Sequence, residues 1–267
     1  MRAPAILFKL RDIRQIEPWG EAGAKRLHWF GLTDGCYCID TPAGRLLEHA
    51  GTFDSGLGEP WCDYQVARLF EDLIQIWPTV SDPIPSDIVS CFSAWHMRNF
   101  GQTANNEIGF SDACDAWLRD RENRKNQGDD PDLQETIDMV NNWWVERRLD
   151  TFYLAVKPNL TLWRIGFDVH LAWDGAYPWL PERVRQTFSY ERLSDAVRGF
   201  FYDFLEMMRS RVESIARDGW TRKDCVIDVQ RLLSEQVERE EQAEAALSRV
   251  RVTDWEQARE RLNNLTD

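Results

Sequence analysis

The chain has 267 residues, with 45 Asp and Glu against 32 Lys and Arg, a formal net charge of −13, and 13 Trp. A hydrophobic fraction of 43% is too rich for a disordered chain, and a polymer this long buries an ample core. The negative balance opposes general affinity for nucleic acid or anionic lipid and suits a partner that is itself basic.

The N-terminal run Ala3 to Phe8 is apolar only briefly before Lys9, Arg11 and Asp12 follow. That is shorter than a secretory signal requires, and no run approaches the roughly 20 apolar residues of a membrane span. A cytoplasmic location is therefore expected, with the six cysteines (36, 38, 62, 91, 114 and 225) as reduced thiols. Arg outnumbers Lys 27 to 5, a bias that points to a GC-rich bacterial genome.

Ile6 to Leu10 reads as a first strand. Leu27 to Thr33, the pair Asp34-Gly35 and Cys36 to Ile39 read as a tight hairpin, since Asp-Gly supplies the positive φ angles of a type I′ turn. Tyr64 to Trp77 carries Val66, Leu69, Phe70, Leu73 and Trp77 at helical spacing and is expected to stop before Pro78. Helices are also expected over Ile88–Phe100, Asp112–Asn126 and from Pro131 through Trp144. Phe152 to Val156 reads as a strand. A second hairpin is clearer: Thr161, Trp163 and Ile165 precede Gly166, after which Phe167, Val169, Leu171 and Trp173 alternate with Asp168, His170, Ala172 and Asp174.

Ser189 opens a long helix rich in Phe200, Phe201, Phe204, Leu205 and Met208, and Asp224 opens another to about Val250. The last one carries an interrupted heptad (Val226, Val229, Leu233, Gln236, Glu240, Ala243, Leu247, Val250). It suits an antiparallel helix pair within the chain or, alternatively, a homodimer seam. The expected architecture is α+β: an antiparallel sheet built from hairpins and packed with helices over residues 1–188, then a helical region over 189–267 packed on it as one unit.

Signatures of chemistry are absent. There is no Gly-x-Ser-x-Gly elbow, Walker loop, dinucleotide fingerprint or His-Glu-x-x-His. Cys36-x-Cys38 is a single close pair where structural zinc sites show two, so no metal and no cofactor are expected. His170, with Asp168 and Asp174 on the same face of its strand, is the candidate acid–base group, although that face is the wet side of a hairpin. Exposed aromatics offer a different use. Trp173, Tyr177 and Trp179 sit in or beside a Pro-rich loop, and such rings anchor partners because they bury large areas at little entropic cost. The densest negative stretch, Asp112 to Asp138, contains Asp129, Asp130 and Asp132, which serve either as a solvated helix start or as a patch for a basic partner.

Leu27-His28-Trp29-Phe30-Gly31-Leu32-Thr33-Asp34-Gly35, Leu162-Trp163-Arg164-Ile165-Gly166-Phe167-Asp168 through Trp173-Asp174, and Ile16-Glu17-Pro18-Trp19-Gly20 resemble a bacterial family of about this length known as a domain of unknown function. The resemblance spans most of residues 1–220 and implies no activity, cofactor or catalytic residue.

Three functions fit these residues. The first is an acidic binding module, in its most concrete form similar to the immunity proteins that neutralise basic toxin domains. There Asp129, Asp130 and Asp132 would steer and Tyr177 and Trp179 would anchor. The second is a hydrolase or transferase built on His170 with Asp168 or Asp174. The third is a structural module dimerising through the C-terminal helices.

Overall fold

A computed structural model describes residues 3–21, 25–51, 53, 55–88, 135, 138–139, 142–220 and 225–263. Strand β1 (Ala5–Leu10) runs antiparallel to β2 (Gly35–Thr41), with Ala5 opposite Asp40 and Leu10 opposite Gly35. All of β2 is buried, because its other neighbours cover it. These are β3 (Gly44–Leu46), joined through a two-residue turn that Thr41 closes by donating to the Gly44 carbonyl, and β5 (Cys62–Asp63).

The hairpin expected at Asp34-Gly35 is not there. Asp34 has φ −52, the wrong sign for a type I′ turn, and Gly31–Thr33 form one turn of 3-10 helix. Leu27, Trp29 and Leu32 are all buried, which a strand apolar on both faces and a core-seated turn explain equally well from sequence. Gly35 is needed for closeness, not for turning: a Cβ there would lie 2.2 Å from the Lys9 carbonyl oxygen.

Helix α1 (Val66–Val80) turns Val66, Leu69, Phe70, Leu73, Ile76, Trp77 and Val80 into the core. It runs past the expected stop. Pro78 removes one backbone donor, but buried Trp77 and Val80 hold the final turn in place. Phe152 to Val156, expected as a strand, form turns and bends within residues 150–157. Asp150 Oδ1 accepts from the Phe152 N–H at 2.9 Å, and Thr151 donates to the Pro158 carbonyl at 2.7 Å. Such side-chain bonds to nearby backbone compete with extended pairing.

The second hairpin forms as expected. Strand β6 (Asn159–Ile165) pairs in register with β7 (Asp168–Asp174), Trp163 opposite His170, and Gly166 at the tip has φ 57. Phe167 belongs to the turn and is exposed instead of buried. A third strand, β9 (Arg183–Ser189), completes this antiparallel sheet along β7, burying Val184 and Phe188. A two-residue ladder links the two halves of the body: β4 (Glu48–His49) pairs with β8 (Trp179–Leu180).

Ser189 ends β9 and caps α2 (Tyr190–Asp218), which stops at Gly219 with φ 75. Helix α3 (Val229–Ser248), capped by Asp228, packs on α2 and α1, and α4 (Trp255–Asn263) follows. The hydrophobic core continues across residue 188: the rings of Phe8 and Phe200 meet edge to face at 5.6 Å, and those of Trp29 and Phe204 at 5.8 Å. Of the heptad seam, Gln236 and Ala243 are buried, and Leu233 and Leu247 pack half-buried on the core. Gln236 accepts from the Trp29 indole N–H at 2.8 Å and donates to the Leu205 carbonyl, while Val226 and Val250 at the seam's two ends are exposed. The fold is α+β with a helical C-terminal region. Among the described residues no helix is long and apolar enough to cross a membrane.

Candidate functional site

The β4–β8 ladder places His49 opposite Trp179, and their rings lie 4.2 Å apart. Phe53 stacks on the same imidazole at 3.8 Å and 20°. Trp179, only 4% exposed, is fixed by its indole N–H donating to the Val156 carbonyl at 2.7 Å, so the 150–157 turns pack against this stack. Across from it, β5 leads into Tyr64, whose ring is 4.4 Å from that of Tyr153. These two aromatic groups, Leu154 to Val156 and Pro178 enclose a cleft of about 370 Å³, with Cys62 and Asp63 also lining it. That volume is at the small end of ligand pockets.

Beneath the cleft lies a polar network. The Tyr153 and Tyr37 hydroxyls are 2.7 Å apart, and Arg68 donates to Asp150 Oδ2 at 2.6 Å while its guanidinium carbon lies 5.3 Å from the Tyr153 ring centre. Asp72 Oδ1 is 3.7 Å from Arg68 Nε, too far for a hydrogen bond. Burial raises the Asp72 carboxyl to about 8, with Arg68 opposing, so it is largely protonated at neutral pH. Burial likewise raises both phenols and pushes Cys62 up to about 12, which leaves that thiol protonated and poorly nucleophilic. Burial lowers His49, so its imidazole is neutral at pH 7. It also raises Asp63, against the opposing Arg11, whose Nη2 is 3.0 Å from Asp63 Oδ1.

The structure separates the members of the expected acid–base group. His170 stacks on Trp163 (5.4 Å, 15°), with its Nδ1 3.2 Å from Thr187 Oγ1, and burial lowers its pKa while Asp168 opposes. Asp174 sits at the far end of β7, about 13 Å along the strand by the usual rise per residue, where Arg183 and Arg185 bind it at 3.1 and 2.8 Å. Asp168 is exposed beside the hairpin tip. The three side chains do not converge.

Tyr177 and Trp179 part company too. Tyr177 is 81% exposed next to the cleft-lining Pro178, whereas Trp179 is part of the cleft wall. Asp129, Asp130 and Asp132 and the helices expected over Ile88–Phe100 and Asp112–Asn126 lie outside the described residues, apart from Ile88 at the end of a helical turn begun at Ser86. Cys36 and Cys38 are both buried beside Trp61, and burial raises Cys38 to about 12. Among the described residues no group of three or more His, Cys, Asp and Glu is placed to hold a metal ion.

The sequence does not single out Phe53, Tyr64 or Tyr153 as site residues, nor His49 as an aromatic partner. Each is unremarkable in its own segment, and only the long-range β4–β8 pairing assembles them. No curated protein and no solved structure matches the chain. The family of unknown function DUF5984 matches residues 5–261, nearly the whole length, and the protein belongs to that family.

Proposed function

We propose that this chain is a cytoplasmic bacterial binding module that captures a basic protein partner, with the aromatic cleft and the adjacent Tyr177 as its anchor point. The observation that carries the reading is a preformed cleft walled by stacked rings, with a large exposed aromatic next to it. Stacked rings give a rigid surface that loses little entropy on binding, as anchor residues require. The charge of −13 adds long-range attraction for a basic surface.

Neutralising a basic toxin domain is the most concrete form of this role. The test is to express the C-terminal domain of a large secreted-type protein encoded beside this chain, alone and together with it. Restored growth with a co-purifying complex, weakened by Tyr177→Ala, is expected. Toxicity that persists with the chain present, or rescue indifferent to Tyr177→Ala, overturns the anchor role.

A further inference from the structure

We infer that the cleft accepts a side-chain cation, the ammonium of lysine or the guanidinium of arginine, presented by that basic partner. This rests on the binding role proposed above and names what enters the site.

The walls are the first argument. Phe53, His49 and Trp179 on one side and Tyr64 and Tyr153 on the other are π systems, whose faces carry negative potential and attract a cation. The lining's charge is the second. Among the described residues Asp63 is its one formally charged lining side chain and no Lys or Arg lines it, and the half-buried imidazole of His49 is neutral at pH 7. The Asp63 carboxylate is also incompletely compensated. Its partner Arg11 is shared among Asp63 (3.0 Å), Asp34 (3.2 Å) and the Ser55 carbonyl (3.1 Å).

Size is the third argument: about 370 Å³ leaves room for one extended lysine or arginine side chain. The chain itself supplies precedents at this place. Arg68 lies 5.3 Å from the Tyr153 ring centre, and Lys157 Nζ lies 4.8 Å from that of Phe152 in the same 150–157 turns. Both rings already attract cations from within the chain.

The test titrates the full-length protein with N-acetyl-lysine methylamide, N-acetyl-arginine methylamide and the uncharged analogue N-acetyl-norleucine methylamide. Indole and amide signals are followed by NMR, with the Trp179 indole identified through Trp179→Phe. The cationic amides should shift the Trp179 indole and the amides of residues 62–64 and 153–156, binding about fivefold or more tightly than norleucine. Asp63→Asn should erase most of that preference, with the remaining spectrum unchanged as the check on folding. Equal binding of the norleucine amide overturns the cation assignment while leaving an aromatic binding cleft in place. No binding by any of the three overturns it as well, while growth rescue and complex formation judge the wider role independently.

Discussion

His170 and His49 both rest against tryptophans, and their surroundings differ in an instructive way. His170 stacks on Trp163, its cross-strand partner in the β6–β7 hairpin, and faces Thr187 on β9 of the same sheet. His49 meets Trp179 across a ladder that joins segments about 130 residues apart. Burial lowers both imidazoles, so perturbed basicity does not distinguish them. What does is convergence. Around His170 the neighbours are those of any antiparallel pair. Around His49, five separate stretches of chain contribute side chains to one concave space. A perturbed group marks a site only where other chemistry meets it.

The comparison can be broken hardest at Trp173. It is fully buried in β7 and donates from its indole to the Pro181 carbonyl at 2.6 Å, tying the strand that carries His170 to the loop that carries Trp179. Trp173→Ala should cost about 3–5 kcal/mol in urea unfolding and disturb both histidines at once. Trp179→Phe is a smaller, one-sided change. It keeps a ring but deletes the N–H that bonds Val156, so a loss of about 1–2 kcal/mol is expected, with NMR shifts confined to the cleft and His170 unmoved.

Acid sharpens the comparison further. Both imidazoles titrate below their ordinary 6.5 in the folded protein, so the unfolded chain binds protons first on acidification. Their contribution to stability is intact above about 6.5 and fades as pH falls toward the lowered folded values. His49→Phe combined with His170→Asn should flatten this part of the pH profile of the urea midpoint. Asp72 works in the opposite sense: its carboxyl is raised from 3.8 to about 8, so its share of stability is lost as pH climbs through that interval. Asp72→Asn should therefore narrow the gap between midpoints at pH 5 and pH 8.5. The smallest effect is expected from His170→Ala alone, below about 1 kcal/mol for a half-buried surface contact, with partner capture unchanged.

Local periodicity made the α1 stripe, the β6–β7 hairpin and the capped start of α2 legible, because each is written within one turn or one strand pair, whereas α3, expected to open at Asp224, starts at Val229 behind the cap Asp228. β9 was missed although Val184 and Phe188 alternate properly, since Arg183, Arg185 and Gln186 hide the pattern in polarity. Asp34-Gly35 misled because a glycine demanded by close strand approach has the same letter as one demanded by a turn. The family resemblance was visible in the Trp- and Gly-bearing segments, and the match reaches further, through the C-terminal helices to residue 261. The cleft itself was illegible. Trp179 was noticed as a loop aromatic, but nothing near residue 49 announces that it will face residue 179.

That ladder also sets a schedule. During synthesis, His49, Phe53 and Tyr64 leave the ribosome early, and Trp179 follows only after the whole intervening stretch has been made. Pairings between remote segments wait on everything between them. A nascent chain too short to include Trp179 therefore carries the His49, Phe53 and Tyr64 part of the cleft without the Trp179 ring that His49 meets.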